Sequence, residues 1–232
     1  MSAEDRPESQ LLQALRREVV AMRIAVIDHL DTITAKELEA AIDLLPQWRC
    51  EQAMRFKHEQ GRKECAFSYH LLCRLLREEY GIEEQPTFIY GEHGKPSLAF
   101  PSRLNKAEAT ALTPLPHDTP IHFNLSHCRK AIACVVADTE VGIDVECFGR
   151  YRDSLARHIC NDEELSRIAI ADNPDAEFTR LWTQKEAVVK LTGRGIDDDL
   201  KNLLIKYNNV SLTTEAHPDK GYVLSVAKFS NA

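Results

Sequence analysis

Hydrophobic and polar residues alternate with a period of two in several short segments, a pattern typical of half-buried strands. Asp138, Thr139 and Glu140 separate two of these segments and predict a turn that joins them as a hairpin. The predicted strands are Met22–Ile27, Thr87–Tyr90, 121–125, 131–138, 142–146, 205–210 and 222–229.

Other segments repeat apolar residues three and four positions apart, which predicts helices. Thr34 and Glu37 form a capping box that starts one helix, and Pro46 ends it. The longest predicted helix covers residues 62–79 and stops at Gly81. The others cover residues 47–58, 151–160, 162–170 and 176–191, and Gly193 ends the last of them.

Strands, short helices and one long helix occur on both sides of a segment rich in Pro, Thr and Ala at residues 101–120. This repetition predicts an α+β fold of two similar halves related by a pseudo-twofold axis. Residues 1–21 are predicted to be an N-terminal extension. The first half would cover residues 22–118 and the second residues 119–232.

Composition narrows the classes of protein that fit. Of 232 residues, 44% are hydrophobic and 28% charged, with a net charge of -7, which disfavours a globally basic nucleic-acid binder. No apolar run approaches the roughly 20 residues that cross a bilayer. The charged N-terminus is unlike a secretory signal, so a cytoplasmic protein is expected. The seven cysteines include no C-x-x-C pair and are expected to be reduced.

Asp144 and Glu146 are the first candidate site. They alternate with Ile143 and Val145 in a predicted strand, so both carboxylates project from one face. Like charges held close together are stabilised by a hard divalent cation with oxygen ligands. The alternative is a pair of solvated carboxylates on an edge strand.

Two further candidates combine polar side chains. Glu186 and Lys190 are four residues apart on the last long helix, either at a site or in a surface ion pair. Ser126 and His127 follow a strand and either donate to a bound anion or cap a turn. The chain has no G-x-S-x-G sequence, which disfavours a serine hydrolase. A fourth candidate, Lys95 in a glycine-punctuated loop, lacks the other parts of a Walker phosphate loop.

Together these segments resemble the signature motifs of the 4'-phosphopantetheinyl transferases of the surfactin-synthetase-activating type. The matching segments are Gly94-Lys95-Pro96, Phe123-Asn124-Leu125-Ser126-His127, Gly142-Ile143-Asp144-Val145-Glu146 and Trp182-Thr183-Gln184-Lys185-Glu186-Ala187-Val188-Val189-Lys190. The resemblance implies a cytoplasmic, monomeric transferase with its active site between two pseudo-twofold-related halves. Such an enzyme moves 4'-phosphopantetheine from coenzyme A to a serine of an apo acyl or peptidyl carrier protein and releases 3',5'-ADP.

The resemblance also implies a role for each matching residue. Magnesium, with manganese as the alternative, would be held by Asp144, Glu146 and Glu186. Glu186, Lys190 and Asp144 would be catalytic. Coenzyme A would contact a larger set of basic and hydroxyl side chains: Arg49, Arg62, Lys95, Ser126, His127, Lys185 and Lys190, with Lys57 and Lys63 nearby. Relatives often carry an acidic residue before the arginine that Arg62 matches, where this chain has Gly61.

Two other functions remain possible from the sequence. A module that binds coenzyme A or carrier protein without catalysis would keep the fold, although all three expected metal carboxylates are present. A metal-dependent phosphatase would need further aspartates and histidines at metal-ligand spacing, and these are missing. The sequence leaves open whether the carrier protein serves fatty-acid, polyketide or peptide synthesis.

Overall fold

The computed structural model describes residues 22–100, 120–195 and 199–230. The predicted N-terminal extension and nearly all of the predicted linker lie outside these residues. The described strands are β1 (Met22–Ile27), β2 (Thr87–Tyr90), β3 (Pro96–Ala99), β4 (His122–His127), β5 (Ile132–Ala137), β6 (Val141–Cys147), β7 (Val210–His217) and β8 (Tyr222–Phe229). The α-helices are α1 (Ala35–Asp43), α2 (Gln47–Met54), α3 (Glu59–Tyr80), α4 (Asp153–Ile159), α5 (Asp162–Ile170), α6 (Pro174–Thr192) and α7 (Leu203–Lys206), and Leu30–Thr32 is a 3-10 turn.

The strands form antiparallel sheets, so the predicted mixture of helices and strands is confirmed. The first sheet has the order β1-β5-β4, the second has the order β6-β8-β7, and β2 and β3 pair as a separate hairpin. β1 pairs with β5 along its whole length, from Met22 opposite Ala137 to Ile27 opposite Ile132. Strands from both sides of the predicted boundary at residue 118 therefore share a sheet.

One long helix covers each three-stranded sheet. Leu72 and Leu76 of α3 pack in one core with Ile132 and Val136 of the first sheet. On the second sheet, Val188 and Leu191 of α6 pack with Ala227 of β8. None of the helices in the described ranges is long and apolar enough to span a membrane.

The predicted start of α1 and the predicted ends of α3 and α6 are confirmed by the residues that cap these helices. Thr34 and Glu37 exchange both bonds of the capping box at the start of α1. Gly81 and Gly193 end α3 and α6 at φ values of 64° and 63°, a left-handed conformation that favours glycine. Both long helices therefore stop where the sequence predicts.

Two predictions about strands were wrong. β5 and β6 do not form a hairpin, because β1 and β4 occupy both edges of β5 and β6 pairs with β8 instead. The closing strand predicted at 205–210 is instead the short helix α7 followed by β7, and β3 is a strand that the hydrophobic pattern did not predict. Both segments are short or half-exposed, so that hydrophobic periodicity is weak.

Candidate active site

The two sheets meet where β4 lies beside β6. The backbone N–H of Ile143 donates to Asn124 Oδ1 (3.1 Å), and that of Val145 donates to Ser126 Oγ (3.1 Å). Because both bonds span 19 residues, the strands run parallel in a constant register. Side chains of β4 therefore substitute for the carbonyl acceptors that a neighbouring strand would supply.

This junction places Ser126 against Asp144. Ser126 Oγ donates to Asp144 Oδ1 (2.8 Å), and Lys190 Nζ of α6 donates to the same carboxylate oxygen (2.7 Å) and to Ser126 Oγ (2.9 Å). The serine hydroxyl thus uses its one hydrogen and both lone pairs within the protein. The side chain of Asp144 is 5% exposed, whereas that of Lys190 is 28% exposed.

A close approach of α6 to β6 makes the contact between Asp144 and Lys190 possible. A Cβ atom added at Gly142 would lie 2.5 Å from the Leu191 nitrogen and closer still to the Ala187 carbonyl oxygen. Only glycine lets the helix backbone rest on the strand at this point. Gly142 therefore sets the separation between the strand carboxylates and the helix side chains.

Glu146 is held by two partners that the sequence did not indicate as functional. Its Oε1 accepts a hydrogen bond from Trp182 Nε1 (3.1 Å) and pairs with the guanidinium of Arg150. Trp182 had a signal, because it lies four residues before Glu186 and eight before Lys190, on the same helix face. Arg150, which follows β6, had none.

Glu186 of α6 is partly buried close to these charged groups. Burial, together with the nearby charge of Asp144, raises the pKa of its carboxyl above the ordinary value of 4.5, and Lys190 partly offsets this. A raised pKa brings a carboxylate nearer to the strength of a base that works at neutral pH. The charges of Asp144 and Glu146 therefore act on the Glu186 carboxyl.

Comparisons with known proteins identify the family of this chain. Residues 140–226 match the family model of the 4'-phosphopantetheinyl transferase superfamily. The chain is 33% identical over 206 residues to 4'-phosphopantetheinyl transferase psf-1 of Bacillus pumilus, covering 87% of this chain and 80% of that protein. The chain belongs to the 4'-phosphopantetheinyl transferase family.

Other relatives are more distant or match a shorter part. 4'-Phosphopantetheinyl transferase Sfp of Bacillus subtilis (strain 168) is 20% identical over 190 residues, covering 81% of this chain and 77% of that protein. AcpT of Salmonella typhi is 36% identical over 115 residues, covering 47% and 50% respectively. The chain is thus a transferase enzyme of a family that generally moves phosphopantetheine from coenzyme A to a carrier protein.

The donor chemistry of the site fits a hard divalent ion. Asp144 Oδ2 is buried and, among the described residues, has no hydrogen-bond partner. Such an oxygen is costly unless a cation or donor reaches it. In the described ranges, however, no three His, Cys, Asp or Glu side chains are already grouped closely enough to ligate one ion. The carboxylates of Asp144 and Glu146 are instead arranged around Lys190 and Arg150.

Lys185, also on α6, is 0% exposed. Its Nζ pairs with Glu164 Oε2 of α5 (2.9 Å) and donates to the carbonyl oxygens of Leu200 (2.7 Å) and Lys201 (3.2 Å). Three protein oxygens thus surround an ammonium for which the family resemblance implies contact with coenzyme A. That contact stays a prediction.

Lys95 and His127 are held by carboxylates at different places. Lys95 Nζ pairs with Glu140 and donates to the Leu191 carbonyl oxygen (3.0 Å) at the end of α6. His127 Nδ1 lies 3.3 Å from Glu64 Oε2 of α3, and half of the histidine side chain is exposed. Burial opposes ionisation of Glu64, but its hydrogen bonds with His127 and Gln60 outweigh this and lower its pKa.

Arg49 and Arg62, the two arginines proposed to contact coenzyme A, lie in different surroundings. Arg49 is only 7% exposed, and its guanidinium lies 5.6 to 5.9 Å from the ring centroids of Trp48, Tyr69 and Phe88. Arg62 is partly exposed and donates to the Phe56 carbonyl oxygen (3.0 Å). A Cβ at Gly61 would lie 2.6 Å from the Phe56 ring, so an acidic residue there would displace that ring.

Proposed function

We propose that this chain transfers 4'-phosphopantetheine from coenzyme A to a serine of an apo acyl or peptidyl carrier protein, releases 3',5'-ADP and depends on magnesium. The observation that carries the proposal is the junction of Asp144, Ser126 and Lys190, with Glu186 beside it. It joins carboxylates that suit a metal ion to a cation that suits a phosphate, in a chain of this family.

Asp144, Glu146 and Glu186 would hold the magnesium ion, and manganese is the alternative with the same ligands. The bound ion would neutralise charge on the pyrophosphate. The buried Oδ2 of Asp144 supports this assignment, because that oxygen has no hydrogen-bond partner among the described residues. Trp182 would keep Glu146 oriented through the bond to its Oε1.

Lys190 would stabilise the negative charge that develops on the leaving phosphate. Its ammonium is the more exposed member of the pair with Asp144, so it can turn from the carboxylate to a bound phosphate oxygen. Lys95, His127, Arg49, Arg62 and Lys185 remain the proposed coenzyme A contacts. Ser126 is proposed as one too, although its hydroxyl is already fully used in holding Asp144 and Lys190.

Glu186 would accept the proton of the carrier serine hydroxyl. Its raised pKa favours this role, because a base is most effective when its pKa lies near the working pH. The serine oxygen then forms its bond to the β-phosphorus as the bond to 3',5'-ADP breaks. Positioning of the two substrates supplies much of the remaining rate.

The architecture supports a two-half organisation as a further part of the proposal. Each three-stranded sheet is covered by one long helix, α3 or α6, and the candidate site lies at the β4–β6 junction between the sheets. A pseudo-twofold relation, halves of residues 22–118 and 119–232, a monomeric state and a cytoplasmic location are proposed with it. In that division β4 and β5, from the second half of the sequence, complete the sheet that α3 covers.

The direct test incubates the full chain with coenzyme A, magnesium and a panel of apo carrier proteins from fatty-acid, polyketide and peptide synthesis. The expected result is a gain of one phosphopantetheine in the mass of a carrier, with 3',5'-ADP as co-product. Glu186→Gln should lose this turnover and keep coenzyme A binding. Glu177→Gln, on the same helix but paired with Arg180, is the matched control and should retain turnover. Binding of coenzyme A without mass gain on any carrier would instead show a catalytically silent module.

A further inference from the structure

The parallel register of β4 and β6 places two cysteines opposite each other. Asn124 bonds to residue 143 and Ser126 bonds to residue 145, each 19 positions along the chain. The next pair in the same register is Cys128 and Cys147. The Cys128 N–H donates to the Ala131 carbonyl oxygen (2.8 Å), so Cys128 begins the turn after β4, and Cys147 is the last residue of β6.

The cysteine pair packs in an apolar cluster, and each cysteine directly follows a proposed site residue in the sequence. Cys128 is 8% exposed and belongs to the cluster between the two sheets that contains Val145 and Tyr222, against which the partly exposed Cys147 packs. The residue before Cys128 is His127, and the residue before Cys147 is Glu146. The thiols therefore sit directly behind two proposed site residues.

We propose that Cys128 and Cys147 form an oxidisable dithiol whose disulfide joins β4 to β6 behind the transfer site. Both cysteines are free thiols in the described structure. A disulfide needs two sulfurs whose backbones already lie close together, and the register of the two strands supplies this proximity. The proposal thus concerns a modification site that catalysis itself does not use.

The oxidant belongs to the class of low-molecular-weight disulfides, such as glutathione disulfide. The Cys147 sulfur, which is the more exposed, attacks one sulfur of the oxidant and releases one small thiol, leaving a mixed disulfide. The Cys128 sulfur then attacks Cys147 and releases the second small thiol. The two cysteine protons and two electrons end on the two released thiols, so the exchange balances.

Closing the bond shortens the contact between the two strands. Two free thiol sulfurs are farther apart than the S–S bond length of about 2.05 Å, so oxidation draws the ends of β4 and β6 together. His127 and Glu146 are attached to those ends and move with them. Since a displacement of about 1 Å can cost about a hundredfold in rate, we expect the disulfide to lower turnover at least about tenfold. This consequence for turnover rests on the proposed function.

The test treats the folded full chain with glutathione disulfide and compares intact masses before and after. The expected product has lost the mass of two hydrogen atoms, and peptide mapping places the bond between Cys128 and Cys147. Dithiothreitol should restore both the mass and the turnover. Cys147→Ser should keep basal turnover and become insensitive to the oxidant. Cys50→Ser, at a partly exposed cysteine of α2, is the control and should respond as the unmodified chain does.

A map that shows no Cys128–Cys147 bond overturns the proposal, and so does a Cys147→Ser variant that remains sensitive. Formation of the bond without a fall in turnover overturns its regulatory consequence. If the reduced chain transfers nothing to any carrier, the proposed function fails by itself, while the mass and the peptide map still decide whether the dithiol exists.

Discussion

Replacing Lys185 with methionine tests whether this lysine supports the fold or contacts coenzyme A. Its ammonium is fully buried between α6, α5 and the segment at residues 200 and 201, where Glu164 is its ionic partner. Methionine keeps an apolar stem of similar length but removes the charge. The Glu164 carboxylate and two carbonyl oxygens would then lose the ammonium that donates to them, and Glu164 would keep the backbone N–H of Asn161.

The expected cost can be worked out from the burial of the pair. Removing one partner of a buried ion pair costs about 3–5 kcal/mol, because the remaining charge stays in a poorly solvated position. For a chain of 232 residues, each kcal/mol lowers Tm by about 2–4 °C, which predicts a fall of about 6–20 °C. Urea unfolding should show a lower midpoint with an unchanged slope.

A second substitution, at Glu164, tests whether the cost of Lys185→Met comes from the unpaired carboxylate charge or from lost packing. Glu164→Gln removes the carboxylate charge and keeps an acceptor for the backbone N–H of Asn161, which the glutamate caps at the start of α5. The double variant Lys185→Met with Glu164→Gln should therefore be more stable than Lys185→Met alone. Lys36→Met, at an exposed lysine of α1, is the control for the loss of a charge and should leave the urea midpoint nearly unchanged.

An opposite pattern would refute the reasoning. If Lys185→Met unfolds at the same urea concentration as the unmodified chain and calorimetry shows weaker coenzyme A binding, the lysine contacts phosphate as the family resemblance implies. In that case the buried position of the ammonium would not describe the form that binds substrate.

Three shorter predictions concern the junction itself. Ser126→Ala leaves the buried Val145 N–H without its acceptor, so the free energy of unfolding should fall by about 1–3 kcal/mol in urea titrations and turnover should fall as well; equal stability would contradict this. Gly142→Ala should sharply lower the amount of folded protein and Tm, because its Cβ meets the α6 backbone. Gly91→Ala, whose Cβ would make only an ordinary contact at 3.6 Å, is the control for that steric effect. The raised pKa of Glu186 means that the folded protein binds a proton more tightly than the unfolded chain, so the free energy of unfolding falls as pH rises from 4.5 through that pKa. In urea titrations without divalent cations, Glu186→Gln should therefore raise the midpoint at pH values above this range. At pH values below 4.5 the midpoint should be unchanged.

Local chemistry made much of the fold predictable. The capping box at Thr34 and Glu37, the helix ends at Gly81 and Gly193, and the alternation of Asp144 and Glu146 with Ile143 and Val145 each depend on residues within one element. Such patterns act over a few residues, and the sequence contains all that determines them. The confirmed predictions are those of this kind.

Pairing between distant strands was not predictable in the same way. The turn at residues 138–140 has the composition of a hairpin, yet β5 already has β1 and β4 on its two edges. That choice depends on which of several long-range partners buries more apolar surface, which a single pattern does not reveal. The burial of Lys185 and Arg49 has the same origin, since helix periodicity alone does not identify the oxygens or rings that surround a cation.

The arrangement of charges shows what binding must change. In the described state, the Asp144 carboxylate has Lys190 as its cation and the Glu146 carboxylate has Arg150. If magnesium and the pyrophosphate bind as proposed, Lys190 and Arg150 must exchange a carboxylate for a phosphate oxygen, so that each charge keeps a partner. Lys190 can replace its carboxylate partner by a phosphate oxygen most easily, because its side chain is partly exposed. Its ammonium already bridges Asp144 and Ser126 at the edge of the site. The same lysine would thus neutralise the site before coenzyme A binds and the leaving group afterwards.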